Sequence, residues 1–457
     1  MNCHIDSDDK PKDNCGIFGV FDNDNAVEIG HDGIRALQHR GENSWGGAAT
    51  EEDVIHAYRQ MGLISRKRPN IKGRSAIFHT RYATAGSVEI GNCQPIVMAE
   101  EVKGDRTKKI SRLEDYTGNP IAGAHNGNLT GGIQKKKKGS DTRQLMERIK
   151  DPSEETLAHV VEALRSVKGA YAILFLTPEM MIGARDPEGY RPLTLGYVNG
   201  SYVFSSETSA IEKVGGRIVR NVGPGEALAI TKKGQFSKYV GHADKLFECL
   251  FELVYLAKQN SVVFNQSVYD FRYGCGKQLA RENTGDKNIA DIVVGLPSAA
   301  DIAAVAYAYG SGIQYVPAVF RNHYTGVGRV FIQPNQVSRD AAIMEKLEVI
   351  KDAVYGKRVV VVDDSIVSGT NLKTGVKLLF DAGATEVHVR SASPPYLNPC
   401  RWGVDTPSVS RFIAHNRDNV KIAKKIGATS VAYLSIQGML AQTSGPYDKC
   451  TKCFKGK

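Results

Sequence analysis

The sequence contains no apolar run approaching the ~20 residues that a membrane-spanning helix needs, which excludes an integral helical membrane protein. It has no signal-peptide pattern either, because Met1 to Asn14 is polar and carries Asp6, Asp8, Asp9 and Asp13. Cysteines, eight in 457 residues, are too few and too scattered for a secreted disulfide scaffold. No sign of charge dominates: 59 lysines and arginines stand against 49 acids, a net of +10. Over this length that excess suits anionic small molecules such as phosphates and does not point to nucleic acid. Internal repeats are absent. The one low-complexity run, Lys135 to Lys138, reads as a solvated loop rather than an RNA or membrane patch. What is there is ordinary globular composition, 42% hydrophobic and 24% charged, at a length that predicts two or three domains in a reducing, cytoplasmic setting.

The two halves differ in texture. From Cys15 to about residue 243, short apolar runs alternate with glycine-rich turns, as at Gly16–Phe21, Ser75–His79, Ala170–Leu176 and Leu228–Ile230. That pattern predicts a layered, strand-rich domain with helices at Asp141–Ile149 and Glu155–Ser166. From residue 244 onward, apolar strands alternate with amphipathic helices. Strands are expected at Asp291–Leu296, Arg358–Val362 and Glu386–Ser391, and helices at Asp301–Tyr309 and Asn371–Ala382. The second half therefore predicts a parallel sheet covered on both faces.

Cys15 opens an apolar strand, Cys15-Gly16-Ile17-Phe18-Gly19-Val20, directly after the polar leader. A cysteine there is compatible with packing. It is also compatible with removal of residues 1–14 as a propeptide, which leaves Cys15 with a free α-amine of pKa near ~8 that serves as base for its own thiol. The surrounding motifs bear on that choice. Ala36-Leu37-Gln38-His39-Arg40-Gly41-Glu42-Asn43-Ser44-Trp45, His79-Thr80-Arg81-Tyr82, Ala124-His125-Asn126-Gly127-Asn128-Leu129, Arg185-Asp186-Pro187-Glu188-Gly189-Tyr190-Arg191-Pro192 and Ser205-Ser206-Glu207-Thr208 follow in order. Together they resemble the class II glutamine amidotransferase domain, which implies an N-terminal-nucleophile αββα fold over residues 15–243. A glutamine amide is a poor electrophile, so its tetrahedral oxyanion needs donors, each worth roughly 3 kcal/mol. The resemblance gives Cys15 the nucleophile's role and Asn126 and Gly127 the donors'. It assigns Arg81 to the α-carboxylate of glutamine and Asp141 to its α-ammonium. Asp141 also reads as a helix N-cap, Arg81 as a surface ion pair, and Arg143 stands where the family usually has glutamate.

In the second half, Lys357-Arg358-Val359-Val360-Val361-Val362-Asp363-Asp364-Ser365-Ile366-Val367-Ser368-Gly369-Thr370-Asn371 runs from a strand through two acids into a small-residue loop that opens a helix. Such loops lie beyond the carboxyl ends of strands, where open α/β sheets bind ligands, and their N–H groups make phosphate nests. Carboxylates beside a phosphate need other partners, and ribose hydroxyls and hydrated Mg2+ are suitable ones. The stretch resembles the phosphoribosyl pyrophosphate signature of type I phosphoribosyltransferases. That resemblance assigns Asp363, Asp364, Ser365, Ser368, Gly369 and Thr370 to phosphoribosyl pyrophosphate, with Asp363 and Asp364 at Mg2+. Tyr324 to Gln333, with Arg329, resembles the loop that closes over the sugar phosphate, and Lys346 follows it. A class II glutaminase joined to such a domain resembles the glutamine phosphoribosylpyrophosphate amidotransferase family. The family implies hydrolysis of glutamine, passage of ammonia through a closed tunnel, and its addition to C1 of phosphoribosyl pyrophosphate in the first step of purine synthesis. It also implies a homo-oligomer, dimer or tetramer, under purine nucleotide control.

Cys450 and Cys453 form a C-x-x-C near the C-terminus, a spacing open to zinc, redox chemistry or iron–sulfur. Cys249 and Cys400 fall where one branch of the family completes a [4Fe–4S] site, so the resemblance assigns all four to a cluster. Zinc on the same four thiols, or plain packing, are the alternatives. Cys93 reads as packing, Cys3 belongs to the leader, and Cys275 has no assigned role.

Several further positions depart from the family pattern, and these all lie in the half that handles the sugar phosphate. Pro297-Ser298-Ala299-Ala300 replaces the usual proline-aspartate-serine-glycine, losing both the carboxylate and the flexible glycine of the loop that grips pyrophosphate. Ala257-Lys258-Gln259-Asn260-Ser261 replaces alanine-arginine-proline-aspartate-serine, Ser368 replaces an arginine, and Asn371 replaces a threonine. The closing loop is altered around Thr325 to Val327. These changes leave two alternatives to the main reading: a paralogue that aminates another phosphosugar or acceptor, and a non-catalytic phosphoribosyl-binding regulator.

Overall fold

The computed structural model describes residues 15–82, 89–107, 110–134, 140–149, 155–322, 347–404, 406 and 408–455. The leader, Arg329, Lys346 and the expected closing loop lie outside the described residues.

The first half is built on two antiparallel sheets, of nine and six strands. Gly16–Val20 sits inside the larger one, paired with Ser75–Arg81 on one side and Ser201–Ser205 on the other. All five of its residues are buried, because side chains of successive residues point to opposite faces and both faces are covered. Ile17 packs between the sheets with Ile77, Ala124 and Leu174. Phe18 and Val20 point the other way, to Ile34 and Ile211 of the helices Ala26–Ala36 and Thr208–Lys213. On the far side, Leu145 and Val160 of Asp141–Met146 and Thr156–Arg165 cover Tyr171 and Ile173 of the six-stranded sheet. The layers run α, β, β, α, as expected. Each buried Phe or Ile on these faces contributes roughly 1.5–3 kcal/mol of transfer free energy.

The second half holds a five-stranded parallel sheet in the order Gln314–Tyr315, Ile292–Gly295, Arg358–Asp363, Glu386–Ser391, Ser430–Tyr433. The valine run 359–362 alternates between two cores. Val360 and Val362 meet Phe271, Leu279 and Tyr307 from the helices Val268–Glu282 and Asp301–Ser311. Val359 and Val361 meet Leu372, Leu379 and Ile422 from Thr370–Asp381 and Asn419–Ile426. A strand buried on both faces reads as an unbroken apolar run, which is why this one is plain in the sequence. Helix starts are capped locally: the Ser267 hydroxyl accepts from Asp270 N, and the Asp418 carboxylate accepts from Lys421 N.

A short parallel ribbon was not expected. Phe247–Cys249 pairs with Asp448–Cys450, bringing the C-terminal segment back to the beginning of the second half. A buried ion pair between Glu248 and Lys449 fastens it.

Candidate active site

The pairing of Gly16 with Thr80 places Cys15 level with Arg81 at one end of the central strands. Both residues are buried, and the Cys15 thiol donates to the carbonyl of Tyr82 at 3.8 Å. Asn126 and Gly127 lie on Ile121–Gly131, in the opposing sheet, which contacts both strands. Asn126 is fully buried, and neither atom of its side-chain amide has a hydrogen-bond partner among the described residues. A buried donor without a partner costs on the order of 1–3 kcal/mol, so this amide is set up for an acceptor that the ligand brings. Gly127 has φ +146°, and a Cβ there would stand 2.0 Å from the carbonyl oxygen of Ala170, so only glycine fits.

Asp141 begins the helix beside the same strand. Ser140, not Asp141, is the N-cap, its hydroxyl accepting from Arg143 N. One Asp141 oxygen accepts from Leu129 N at 3.1 Å and the other from Thr142 N at 2.8 Å, which orients the carboxylate against the Asn126 strand. Two histidines lie close by and neither is a ready base. Burial pushes His79 down to about 3, and burial also lowers His125. His79 is fixed by the His125 carbonyl at 3.1 Å. At the turn that follows Met180–Arg185, the buried Asp186 accepts from the N–H groups of Tyr171, Tyr190 and Arg191. Burial raises its pKa to about 6.

Behind Cys15 the halves of the molecule meet on one guanidinium. Arg40 donates from Nε to the Cys15 carbonyl at 3.4 Å, from Nη1 to Glu207 at 2.6 Å, and from Nη2 to both oxygens of Glu252 at 3.1 Å. Glu252 starts a π-helical turn, Glu252–Leu256, and also accepts from Arg191 at 3.1 Å. Glu207 accepts in addition from His39, from the backbone N–H of Lys258 and from the hydroxyl of Ser261. Burial alone would raise the Glu207 carboxyl, but His39 and Arg40 outweigh it and hold it well below the usual carboxylate range. Sequence reasoning found Arg40, Arg191 and Glu207 inside motifs without giving them partners, and it missed Glu252.

In the second half, Asp363 and Asp364 end the central strand and are buried. Asp363 accepts from Asp364 N at 2.9 Å, and Asp364 accepts from the Ser365 hydroxyl at 2.8 Å. Gly369, with φ +83°, turns the loop into the helix that starts at Thr370, and a Cβ there would strike Ile413. Ser365, Ser368, Gly369 and Thr370 thus share one loop around a helix N-terminus, the arrangement that favours a phosphate. A small cleft beside it is lined by Asp364, Arg272, Cys275 and Ala299, so Ala299 of the departing loop faces the same space as Asp364.

Of the four cysteines expected to act together, Cys249, Cys400 and Cys450 each lie near enough to bear on the Cys453 thiol. Cys249 and Cys450 are neighbours across the parallel ribbon. The Cys453 carbonyl accepts from Leu397 N and Asn398 N, and the Cys400 sulfur accepts from Trp402 N at 3.3 Å. Burial, and then the charges of Cys249, Cys400 and Cys450, push the Cys453 thiol far up. Burial raises the Cys249 and Cys450 thiols as well, and thiols so placed resist ionising together unless a cation compensates them, which is the donor chemistry of a metal site. Among the described residues, no three His, Cys, Asp or Glu converge tightly enough to hold a single ion. Lys452, between the two cysteines of C-x-x-C, lies over the rings of Trp402, Phe247 and Tyr190 at 4.9, 5.7 and 6.0 Å. Cys93 and Cys275 are packed in the interior.

Comparison with known proteins covers nearly the whole chain. Residues 125–213 match a family model described as a glutamine amidotransferase domain. The amidophosphoribosyltransferase of Synechocystis sp. is 38% identical, covering 98% of this chain and 91% of its own. That of Bacillus subtilis is 37% identical over 97% of this chain and 93% of its own. A solved B. subtilis glutamine phosphoribosylpyrophosphate amidotransferase, complexed with ADP and GMP, superposes with a TM-score of 0.84 at 35% identity, covering 97% of each chain.

Arg40→Met leaves Glu207 and Glu252 buried without their shared cation and is expected to lower the unfolding free energy by ~3–5 kcal/mol in urea titrations. For His79, the unfolded chain binds a proton near ~6.5 while the folded one does so only at about 3, so stability falls as pH drops through that window. His79→Gln is expected to flatten the pH dependence there by up to ~1.4 kcal/mol per pH unit, read from denaturation midpoints at stepped pH.

Proposed function

The chain belongs to the amidophosphoribosyltransferase family, and from that premise we propose how its residues divide the work. It is a glutamine-dependent pentosyltransferase with glutaminase activity, catalysing the first step of purine biosynthesis. Glutamine and phosphoribosyl pyrophosphate give glutamate, 5-phosphoribosylamine and pyrophosphate.

The division runs as 1–14 leader, 15–243 glutaminase and 244–457 phosphoribosyltransferase. Removal of the leader frees the Cys15 α-amine to take the proton of its own thiol, a role the depressed His79 is unsuited to fill. The thiolate attacks the amide carbon of glutamine. Asn126 Nδ2 and the N–H of Gly127 hold the oxyanion, Arg81 holds the α-carboxylate and Asp141 the α-ammonium. Ammonia leaves, and water hydrolyses the thioester to glutamate. In the second half, the 365–370 loop holds the 5′-phosphate, while Asp363 and Asp364 face the ribose hydroxyls. Arg329 and Lys346, outside the described residues, are assigned to phosphoribosyl pyrophosphate on the family resemblance. Ammonia attacks C1 as the bond to pyrophosphate breaks, through a state with positive charge on the ring. The observation that carries this reading is the buried amide of Asn126, without a partner among the described residues, on the strand that contacts those of Cys15 and Arg81.

Mg2+ would be held beside Asp363 and Asp364, where it neutralises charge on the departing pyrophosphate. Cys249, Cys400, Cys450 and Cys453 would hold a structural [4Fe–4S] cluster. What supports one shared site is that Cys249 pairs with Cys450 across the ribbon and that both, with Cys400, lie near Cys453; the family resemblance favours a cluster over zinc there. A homo-oligomer in the cytoplasm belongs to the same reading. Its nucleotide control is supported by the ADP and GMP bound to the B. subtilis relative.

Cys15→Ala is expected to abolish glutamine-dependent pyrophosphate release and to spare the ammonia-dependent reaction; loss of both would refute the division. Anaerobically purified protein is expected to be brown, with broad absorption near ~400 nm and about four irons per chain. Colourless protein carrying one zinc would overturn the cluster assignment.

A further inference from the structure

Two segments that depart from the family pattern touch each other. The side-chain amide of Gln259, where the family has proline, donates to the carbonyl of Ser298 at 2.5 Å, in the loop that lacks the usual carboxylate and glycine. A proline could make no such bond, having neither a side-chain donor nor an N–H. From the other side, Arg321 Nε donates to the carbonyl of Pro297 at 3.2 Å. The 297–300 loop is therefore gripped by its backbone from two directions, and Ala299 meets Asp364 and Arg272 in the cleft.

Gln259 is itself anchored in the other half of the protein. The N–H of Lys258 donates to Glu207 Oε2 at 3.0 Å, and the hydroxyl of Ser261 donates to the same oxygen at 2.7 Å. Lys258 Nζ reaches the carbonyl of Ala36 at 2.5 Å, and Ala257 offers its carbonyl to Arg272 at 2.9 Å. Residues 257–261 thus form a strap pinned to the fully buried Glu207 at two points flanking Gln259.

We infer that Gln259 is the positioning residue of the 297–300 loop, and that Glu207, a carboxylate of the glutaminase half, holds the strap from which it acts. A loop without its own carboxylate and flexible glycine takes its place from outside, by a donor aimed at its backbone. Gln259 acts through the loop and does not itself touch the sugar phosphate. The inference rests on the amidotransferase reading above and adds to it a determinant of donor affinity.

The test uses the full mature chain, ammonia as nitrogen source and phosphoribosyl pyrophosphate as the varied substrate. Gln259→Met keeps the length of the side chain and removes its donors. It is expected to raise the KM for phosphoribosyl pyrophosphate about fivefold, the worth of one hydrogen bond, with kcat and basal glutaminase within about twofold of the parent. Ser261→Ala cuts the strap at its other end and is expected to raise the same KM by a smaller factor. Because both changes break one linkage, the double variant should be no worse than Gln259→Met alone. An unchanged KM in both single variants, effects that multiply in the double variant, or a parallel fall of kcat, basal glutaminase and melting temperature would overturn the inference. If Gln259→Met does not fold, the Ser261→Ala KM decides. Absence of ammonia-dependent pyrophosphate release from the parent protein would instead overturn the amidotransferase reading, leaving the two failures distinguishable.

Discussion

The structure depends on a single buried cation held between two carboxylates from different halves of the chain. Arg40 reaches Glu207 in one direction and Glu252 in the other, while its Nε touches the carbonyl of Cys15. A charge out of water is tolerated only when every donor is met, and here both acids are shared further, Glu252 with Arg191 and Glu207 with His39, Lys258 and Ser261. The geometry fixes the register of the two halves more sharply than apolar contact could, because a slip of an ångström would strand a charge. It also explains why a π-helical turn appears at Glu252, since an extra backbone residue in the turn re-aims a side chain.

What the sequence displays plainly is what burial on both faces imposes. Val359 to Val362 and Gly16 to Val20 are apolar throughout, because each residue meets one core or the other, and both read as strands in the right places. The expected helix limits fall within two residues at Thr156–Arg165, Asp301–Ser311 and Thr370–Asp381, none of which has a side-chain N-cap bond. The helix expected over 141–149 is shorter, Asp141–Met146, and continues as a tighter turn in which Ile149 N reaches the Met146 carbonyl. Cys15 and Arg81 were named from ordered motifs and fall level at one end of paired strands, whereas Asn126 lies mid-strand in Ile121–Gly131 and Asp141 opens a helix.

What stayed hidden depends on partners remote in sequence. Arg40 lies 167 residues from Glu207 and 212 from Glu252, and nothing local in either segment announces the pairing. Phe247–Cys249 and Asp448–Cys450 are three residues each, too short for any periodicity, and they define each other only by meeting. The C-terminal segment is rich in lysine, yet Lys452 is held over three aromatic rings and Lys449 is buried against Glu248. Long side chains of this kind bury their stems and settle their charge on a π-face or an acid, which composition alone does not reveal. The altered 297–300 loop was visible as a loss. Its compensation by Gln259 was not, because the substitution that supplies the bond lies in a separate segment.

The loop that carries Cys400 runs straight on to the back of the strand bearing Asn126 and Gly127. Asn128 Nδ2 binds the carbonyl of Arg401 at 3.0 Å, and Gly403 is so near that a methyl group there would stand 3.0 Å from the carbonyl carbon of Gly127. The backing of the strand that bears Asn126 and Gly127 is thus put up by polypeptide that leaves the ribosome late, and it is braced in turn by the ribbon closing at Cys450. A nascent chain stalled in its last third would carry the thiol and both strands and still present an unfinished chamber.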